Sequence, residues 1–139
     1  MRIMVINGPG AWILGREEIE NSGNDSLFDI IQRVNEIAED YDAEVEFVKT
    51  NFEGEIIESL YLAHEEFDGV ILDAGGYALS SYAIAEAINA INVPVIEVCP
   101  RKNTFFADKP SIIKPFCQGS ISGLGSSVYT LALEALLAP

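Results

Sequence analysis

A thiol beside a guanidinium can serve as a nucleophile, and Cys99-Pro100-Arg101 offers that pair at the end of a short apolar run. The neighbouring cation favours the thiolate, which is the reactive form. The opposing reading makes Cys99 a small buried apolar residue, a common fate of free cysteine. The only histidine, His64, falls on a separate predicted helix, solvated and far from Cys99, so the thiol has no imidazole partner. Asp73 and Glu97 offer a second chemistry. Paired carboxylates in a half-buried cleft can separate their pKa values and act as acid and base. Asp73, next to Gly75 and Gly76, can also accept hydrogen bonds from an amine or hydroxyl ligand. Ser80 and Ser81 equally suit helix caps, and Trp12 and Tyr77 either wall a ligand or pack under a loop. Pro100 has no N–H, so an anion at that turn loses a backbone donor.

Alternating short strands and amphipathic helices must position these groups. Residues 2–6 read as a buried strand stopped by Asn7-Gly8-Pro9-Gly10. The polar stretch 15–25 reads as a mobile loop, and Ser26 caps a helix whose buried face carries Leu27, Ile30, Ile31, Val34, Ile37 and Ala38. Residues 44–48 alternate charged and apolar side chains, as an edge strand does. A second helix starts near Phe52 and buries Ile56, Ile57, Leu60 and Ala63. Residues 69–72 form an apolar central strand, followed by a third helix with Ala83, Ile84, Ala87, Ile88 and Ile91 on one face. Residues 94–98 make a fourth strand, a fifth is expected near Phe116–Cys117, and residues 126–137 form the last helix. The economical solution is an α/β fold: a doubly wound parallel sheet in three α/β/α layers, with the flavodoxin-like order 2-1-3-4-5. Strand order reverses between the first and third strands, so a ligand belongs at the carboxyl ends of strands one, three and four.

A chain of 139 residues fits one domain, with 49% hydrophobic and 22% charged residues arguing against disorder. Twenty-two acidic against eight basic residues leave a formal charge of −14, which repels nucleic acid and anionic membrane alike, or simply keeps the protein in solution. No segment is long enough to span a bilayer, and the first apolar run is too short for a signal peptide. Cys99 and Cys117 have neither CxxC spacing nor a neighbouring histidine, so no disulfide framework or metal site is expected, and a cytoplasmic setting is.

Several loops carry a resemblance. Asn7-Gly8-Pro9 followed by Leu14-Gly15, then Asn51-x-Glu53-Gly54-Glu55, Ala74-Gly75-Gly76-Tyr77, Ser81-x-Ala83-x-x-Glu86-Ala87, Pro94-x-Ile96-Glu97-Val98 and Gly119-x-Ile121-x-Gly123-Leu124-Gly125 resemble the type II 3-dehydroquinate dehydratases. The motifs occur in family order from end to end, with only 99–115 shortened. The resemblance implies a flavodoxin-like subunit, trimers assembled into a dodecamer, and no cofactor or metal. It implies removal of water from a cyclic hydroxy-ketone acid through an enolate. A loop tyrosine takes the proton beside an arginine, one histidine protonates the leaving hydroxyl, and a second histidine and a further arginine bind substrate. Here Ser22 stands at the tyrosine position and Glu17 at the arginine position, with Arg16 one place earlier. Gly10 and Asp73 replace asparagines, Leu79 and Cys99 replace the two histidines, and Ser81 is retained. Arg101 and Lys102 lie near, but not at, the second arginine's place. The family's glutamate before the second histidine, here Glu97, orients its neighbours.

A serine hydroxyl is too weak an acid to replace a phenol as base, and leucine donates no proton. Each such loss typically costs about 10²–10⁴ in rate. Three functions follow. The first is a diverged member binding a small polar metabolite among Asn7, Gly10, Arg16, Asp73, Gly75, Gly76, Tyr77, Ser81, Glu97, Cys99 and Arg101, without dehydratase activity. The second is a non-catalytic assembly or regulatory protein. The third is a dehydratase rebuilt with Arg16 moved into place and Tyr77 or Tyr82 as base.

Overall fold

Apolar runs flanked by turn residues pair edge to edge in the computed structural model, which describes residues 1–10, 26–100 and 109–138. The strands are β1 (Arg2–Asn7), β2 (Glu44–Lys49), β3 (Gly69–Asp73), β4 (Val95–Cys99) and β5 (Gly119–Ser122). They form one parallel sheet of order β2-β1-β3-β4-β5, as the periodicity predicts. The helices are α1 (Leu27–Asp40), α2 (Glu53–Glu66), α3 (Tyr82–Ala90) and α4 (Ser127–Leu137). Every residue of β3 is buried, whereas β2 at the edge alternates exposed and partly covered positions.

Alternation along the strands sorts the core into two layers. Met4, Ile6, Val70, Leu72 and Val95 pack against Ile56 and Leu60 of α2 and Ile84 and Ile88 of α3. Ile3, Val5, Ile71, Ile96 and Val98 turn the other way, against Ile30 and Val34 of α1 and Val128 and Leu133 of α4. Helix starts follow local chemistry. The Ser26 hydroxyl accepts the Asp29 N–H while the Asp29 carboxylate accepts the Ser26 N–H, a reciprocal cap for α1. Ser81 caps α3 by accepting the Ile84 N–H at 3.0 Å.

One stretch differs from the sequence expectation. The fifth strand lies at Gly119–Ser122 and not near Phe116–Cys117, because Lys114–Phe116 closes a 3-10 turn. Pro115 favours that turn, having no N–H to give a sheet ladder. Gly75–Leu79 forms a second 3-10 turn ahead of α3.

The exits of β1 and β3 touch backbone to backbone. Gly8 N–H donates to the Asp73 carbonyl at 2.7 Å, and a Cβ on Gly8 would lie 3.0 Å from that oxygen. Gly75 has a φ of +59°, and its Cβ would stand 2.6 Å from the Pro9 carbonyl. Both the conformation and the space therefore require glycine there. Gly75→Ala is expected to lower unfolding free energy by about 2 kcal/mol or more in urea titration. Gly54→Ala, on α2 with open space around it, should be neutral or stabilising by up to about 1 kcal/mol.

Candidate functional site

The sheet register brings the chemistry-bearing residues to one end. Asn7 lies beside Asp73 across β1 and β3, Glu97 beside Ser120 across β4 and β5, and Cys99 beside Ser122. Above these ends opens a cavity of about 710 Å³, within the usual range for small-molecule sites. Asp73, Ala74, Gly75, Ala78 and Leu79 form one wall; Glu97, Val98 and Cys99 form the next. Lys109, Pro110, Ser111, Lys114 and Pro115 face them, with Ser120, Ser122 and Gly123 closing the far side. Among the described residues the cavity thus spans β3, β4 and β5, one strand further along than the reversal between β1 and β3.

Asp73 is only 3% exposed, which demands hydrogen bonds. Its Oδ1 accepts the Gly75 N–H at 3.1 Å. The Tyr129 hydroxyl of α4 donates to Asn7 Oδ1 at 2.6 Å and lies 3.5 Å from Asp73 Oδ2. Asn7 and Tyr129 are fully buried below the cavity and do not line it. Glu97, 6% exposed, takes the Ser120 hydroxyl on Oε1 at 2.8 Å and the Ser111 hydroxyl on Oε2 at 2.5 Å. Ser111 Oγ in turn accepts the Lys114 N–H at 3.2 Å. The Glu97 carboxylate therefore ties the 109–115 stretch to β5, and it orients the wall that carries both lysines.

Of the residues singled out from sequence, the structure brings Asp73, Gly75, Glu97 and Cys99 into the lining. Gly10, with φ of 92°, and Gly76 lie outside it. Tyr77 donates its hydroxyl to the Asn51 carbonyl at 2.8 Å, and Ser81 donates to Glu53 Oε2 at 2.5 Å, joining the starts of α2 and α3. Neither lines the cavity, nor does Tyr82, which is 77% exposed. His64 is exposed on α2, its Nδ1 accepting the Asn92 N–H at 3.0 Å. Trp12, Arg16, Glu17, Ser22, Arg101 and Lys102 lie outside the described residues. Among the described residues no three of His, Cys, Asp or Glu gather as a metal would need, and no helix is long and apolar enough to cross a membrane.

Sequence reasoning missed Ser111, Ser120, Tyr129 and the two lysines. Tyr129 at helical spacing looks like ordinary core, and the serines sit in stretches without periodicity. The lysines had a usable signal. Of eight Lys and Arg in the chain, Arg101, Lys102, Lys109 and Lys114 all fall between positions 101 and 114.

The two cysteines differ in place. Cys99 is half-buried in the lining. Cys117 lies beneath, its Sγ donating to the Ile113 carbonyl at 3.4 Å. Burial first, then the charge of Glu97, pushes its thiol from 9.0 up to about 12. Cys117 is therefore a neutral thiol at ordinary pH. The folded state holds this proton more tightly than the unfolded one, so stability falls as pH rises past about 9. The slope should be at most about 1.4 kcal/mol per pH unit, and Cys117→Ala should flatten it in urea titrations between pH 8 and about 10.5. Tyr129→Phe deprives buried Asn7 of its donor and should destabilise by about 1–3 kcal/mol in the same measurement at pH 7.

The model of the family described as dehydroquinase class II matches residues 1–137. The 3-dehydroquinate dehydratase of Bacillus licheniformis is 39% identical, covering 95% of this chain and 92% of that protein. The 3-dehydroquinate dehydratase of Campylobacter lari is 40% identical, over 98% of this chain and 86% of that protein. Among solved structures, the type II dehydroquinase from Butyrivibrio crossotus superposes with a TM-score of 0.89 at 33% identity, over 98% of this chain and 97% of that one. A 3-dehydroquinate dehydratase-like protein from Bifidobacterium longum gives 0.73 at 27% identity, over 99% and 95%. With its sheet order, its glycine-bound turns and these matches in agreement, the chain belongs to the class II dehydroquinase family.

Proposed function

We propose that this chain binds a small polar metabolite in the cavity above β3, β4 and β5 and does not dehydrate dehydroquinate. One observation carries the reading: no imidazole lines the cavity among the described residues, and Leu79 and Cys99 line it where the resemblance places histidines. Protonating a leaving hydroxyl near neutral pH needs a group whose pKa lies near the working pH. Leucine has no proton to give, and the single histidine of the chain is engaged with Asn92 on a different helix face. The sequence adds Ser22 and Glu17 at the base and arginine positions. Loss of either the acid or the base typically costs about 10²–10⁴ in rate. What is retained is a half-enclosed cavity with mixed polar and apolar walls, suited to holding a ligand. The reading extends to a cytoplasmic protein that self-associates as trimers or a dodecamer, with nucleic acid and membranes excluded by a charge of −14.

Purified protein mixed with dehydroquinate at high concentrations of both should show no growth of the ultraviolet absorbance of a conjugated enone acid. Absorbance that grows in proportion to protein, and vanishes in a Cys99→Ala or Asp73→Ala variant, would refute the loss of activity.

A further inference from the structure

The two edges of the sheet are finished differently. Among the described residues β2 and β5 each have a strand on one side only. β2 carries Glu44, Glu46 and Lys49, all exposed, and Arg2 reaches Glu44 at 3.6 Å and Glu46 at 3.2 Å. Charges of this kind keep a free edge from pairing with another chain. β5 reads Gly-Ser-Ile-Ser, with Ser120 and Ser122 exposed and neither charge nor proline in the strand. The bareness extends past its ends: positions 115–133 contain no Asp, Glu, Lys or Arg, in a chain with 22 acidic and eight basic residues. Phe116 and Leu124, on either side of β5, are both exposed. Beside Phe116, a shallow hollow of about 460 Å³ reaches to the end of α3, and none of the described residues lining it is charged.

We infer that β5 is the surface on which two copies of this chain meet, edge to edge and antiparallel across a two-fold axis, joining their sheets into one. This rests on the reading that the chain self-associates. Charge selects the occupant. A basic partner would take an acidic face, such as α2 with Glu53, Glu55, Glu58, Glu65 and Glu66. A second copy brings its own charge of −14 and is repelled from every such face. The uncharged edge is where two such molecules come within a Debye length, about 8 Å at physiological salt, at least cost. Geometry also favours a copy. A strand paired antiparallel with itself presents the same donors and acceptors on both sides of the axis. An axis through Ser120 sets Gly119 opposite Ile121 and turns each Phe116 end toward the other copy's Leu124 end. A closed trimer has no two-fold axis, so this contact requires an even number of chains. Ser120 and Ser122 also line the cavity, so the contact adjoins the candidate ligand site.

Sedimentation of the purified full chain should show an assembly with an even number of chains. The double variant Phe116→Glu, Leu124→Glu sets like charges opposite each other and should cut the mass to half or less. Both side chains are exposed, so the fold is kept. The double variant Phe116→Lys, Leu124→Glu sets opposite charges across the same axis and should restore the full mass. An odd number of chains, or a mass that the paired glutamates leave unchanged, overturns the β5 contact while self-association stands. Equal splitting by both double variants overturns the antiparallel two-fold in the same way. A monomer at every concentration removes the self-association reading with it. Should a variant fail to fold, amide exchange on the unaltered chain decides. The β5 amides should exchange about ten-fold or more slowly in concentrated than in dissociated, dilute protein. Equal exchange in an assembly of any size overturns the contact.

Discussion

Where β1 and β3 leave the sheet, their exit turns are pressed together with no side chain between them. Gly8 gives its N–H to the Asp73 carbonyl, and Gly75, in a left-handed conformation, passes under the Pro9 carbonyl. Much of the site follows from that approach. It sets the direction in which the chain leaves β3, which delivers the Gly75 N–H onto the Asp73 carboxylate. It brings Ala74, Ala78 and Leu79 round as one wall of the cavity. The same approach brings the backbones of β1 and β3 together, and among the described residues the cavity lies one strand further along, where smaller Ser120, Ser122 and Gly123 line it with Cys99.

Two carboxylates in such a place are a liability unless their hydrogen bonds are supplied. Glu97 meets the requirement with two serine hydroxyls from two separate stretches of chain, and bonds to a charged group contribute about 1.5–3 kcal/mol each. Its oxygens are thereby committed to architecture. Cys117, just beneath, feels the uncompensated side of this arrangement, since burial and the nearby negative charge both oppose its ionisation. Of the two thiols, Cys99 alone lines the cavity. Among the polar groups around the cavity, Glu97 with Ser111 and Ser120 thus holds its shape.

Fold and site were unequally legible in the amino-acid sequence. Strand alternation and helical spacing are repeated signals, and they predicted the sheet order and the edge position of β2, while Ser26 was legible as a cap and Ser81 was open between a cap and a ligand contact. The fifth strand was displaced because Phe116 and Cys117 are apolar yet follow Pro115 into a 3-10 turn, whereas Gly119–Ser122 is too polar and short to stand out. In the site, Asp73 and Cys99 were readable because they end apolar strands, and Glu97 because it interrupts one. Asn7 was readable as polar, but its buried place below the cavity depends on Tyr129, which is separated from it by 122 positions. Ser81 and Tyr77 had two local roles open to them, and in the structure the hydroxyls serve Glu53 and the Asn51 carbonyl. No periodic signal reports a pairing of that kind.

The Tyr129 hydroxyl has a consequence for the order in which the protein folds. Strands β1 and β3 can align early, but the Asn7 side chain is sealed from water only when the last helix has docked over it. Until then the folding chain holds hydrated amide and carboxylate groups at the carboxyl ends of two otherwise apolar strands. Desolvating them without the phenol costs more than leaving them wet. Docking of α4 is therefore the step that licenses closure of the core, and the parallel sheet stays open on its α1–α4 side until that helix is in place.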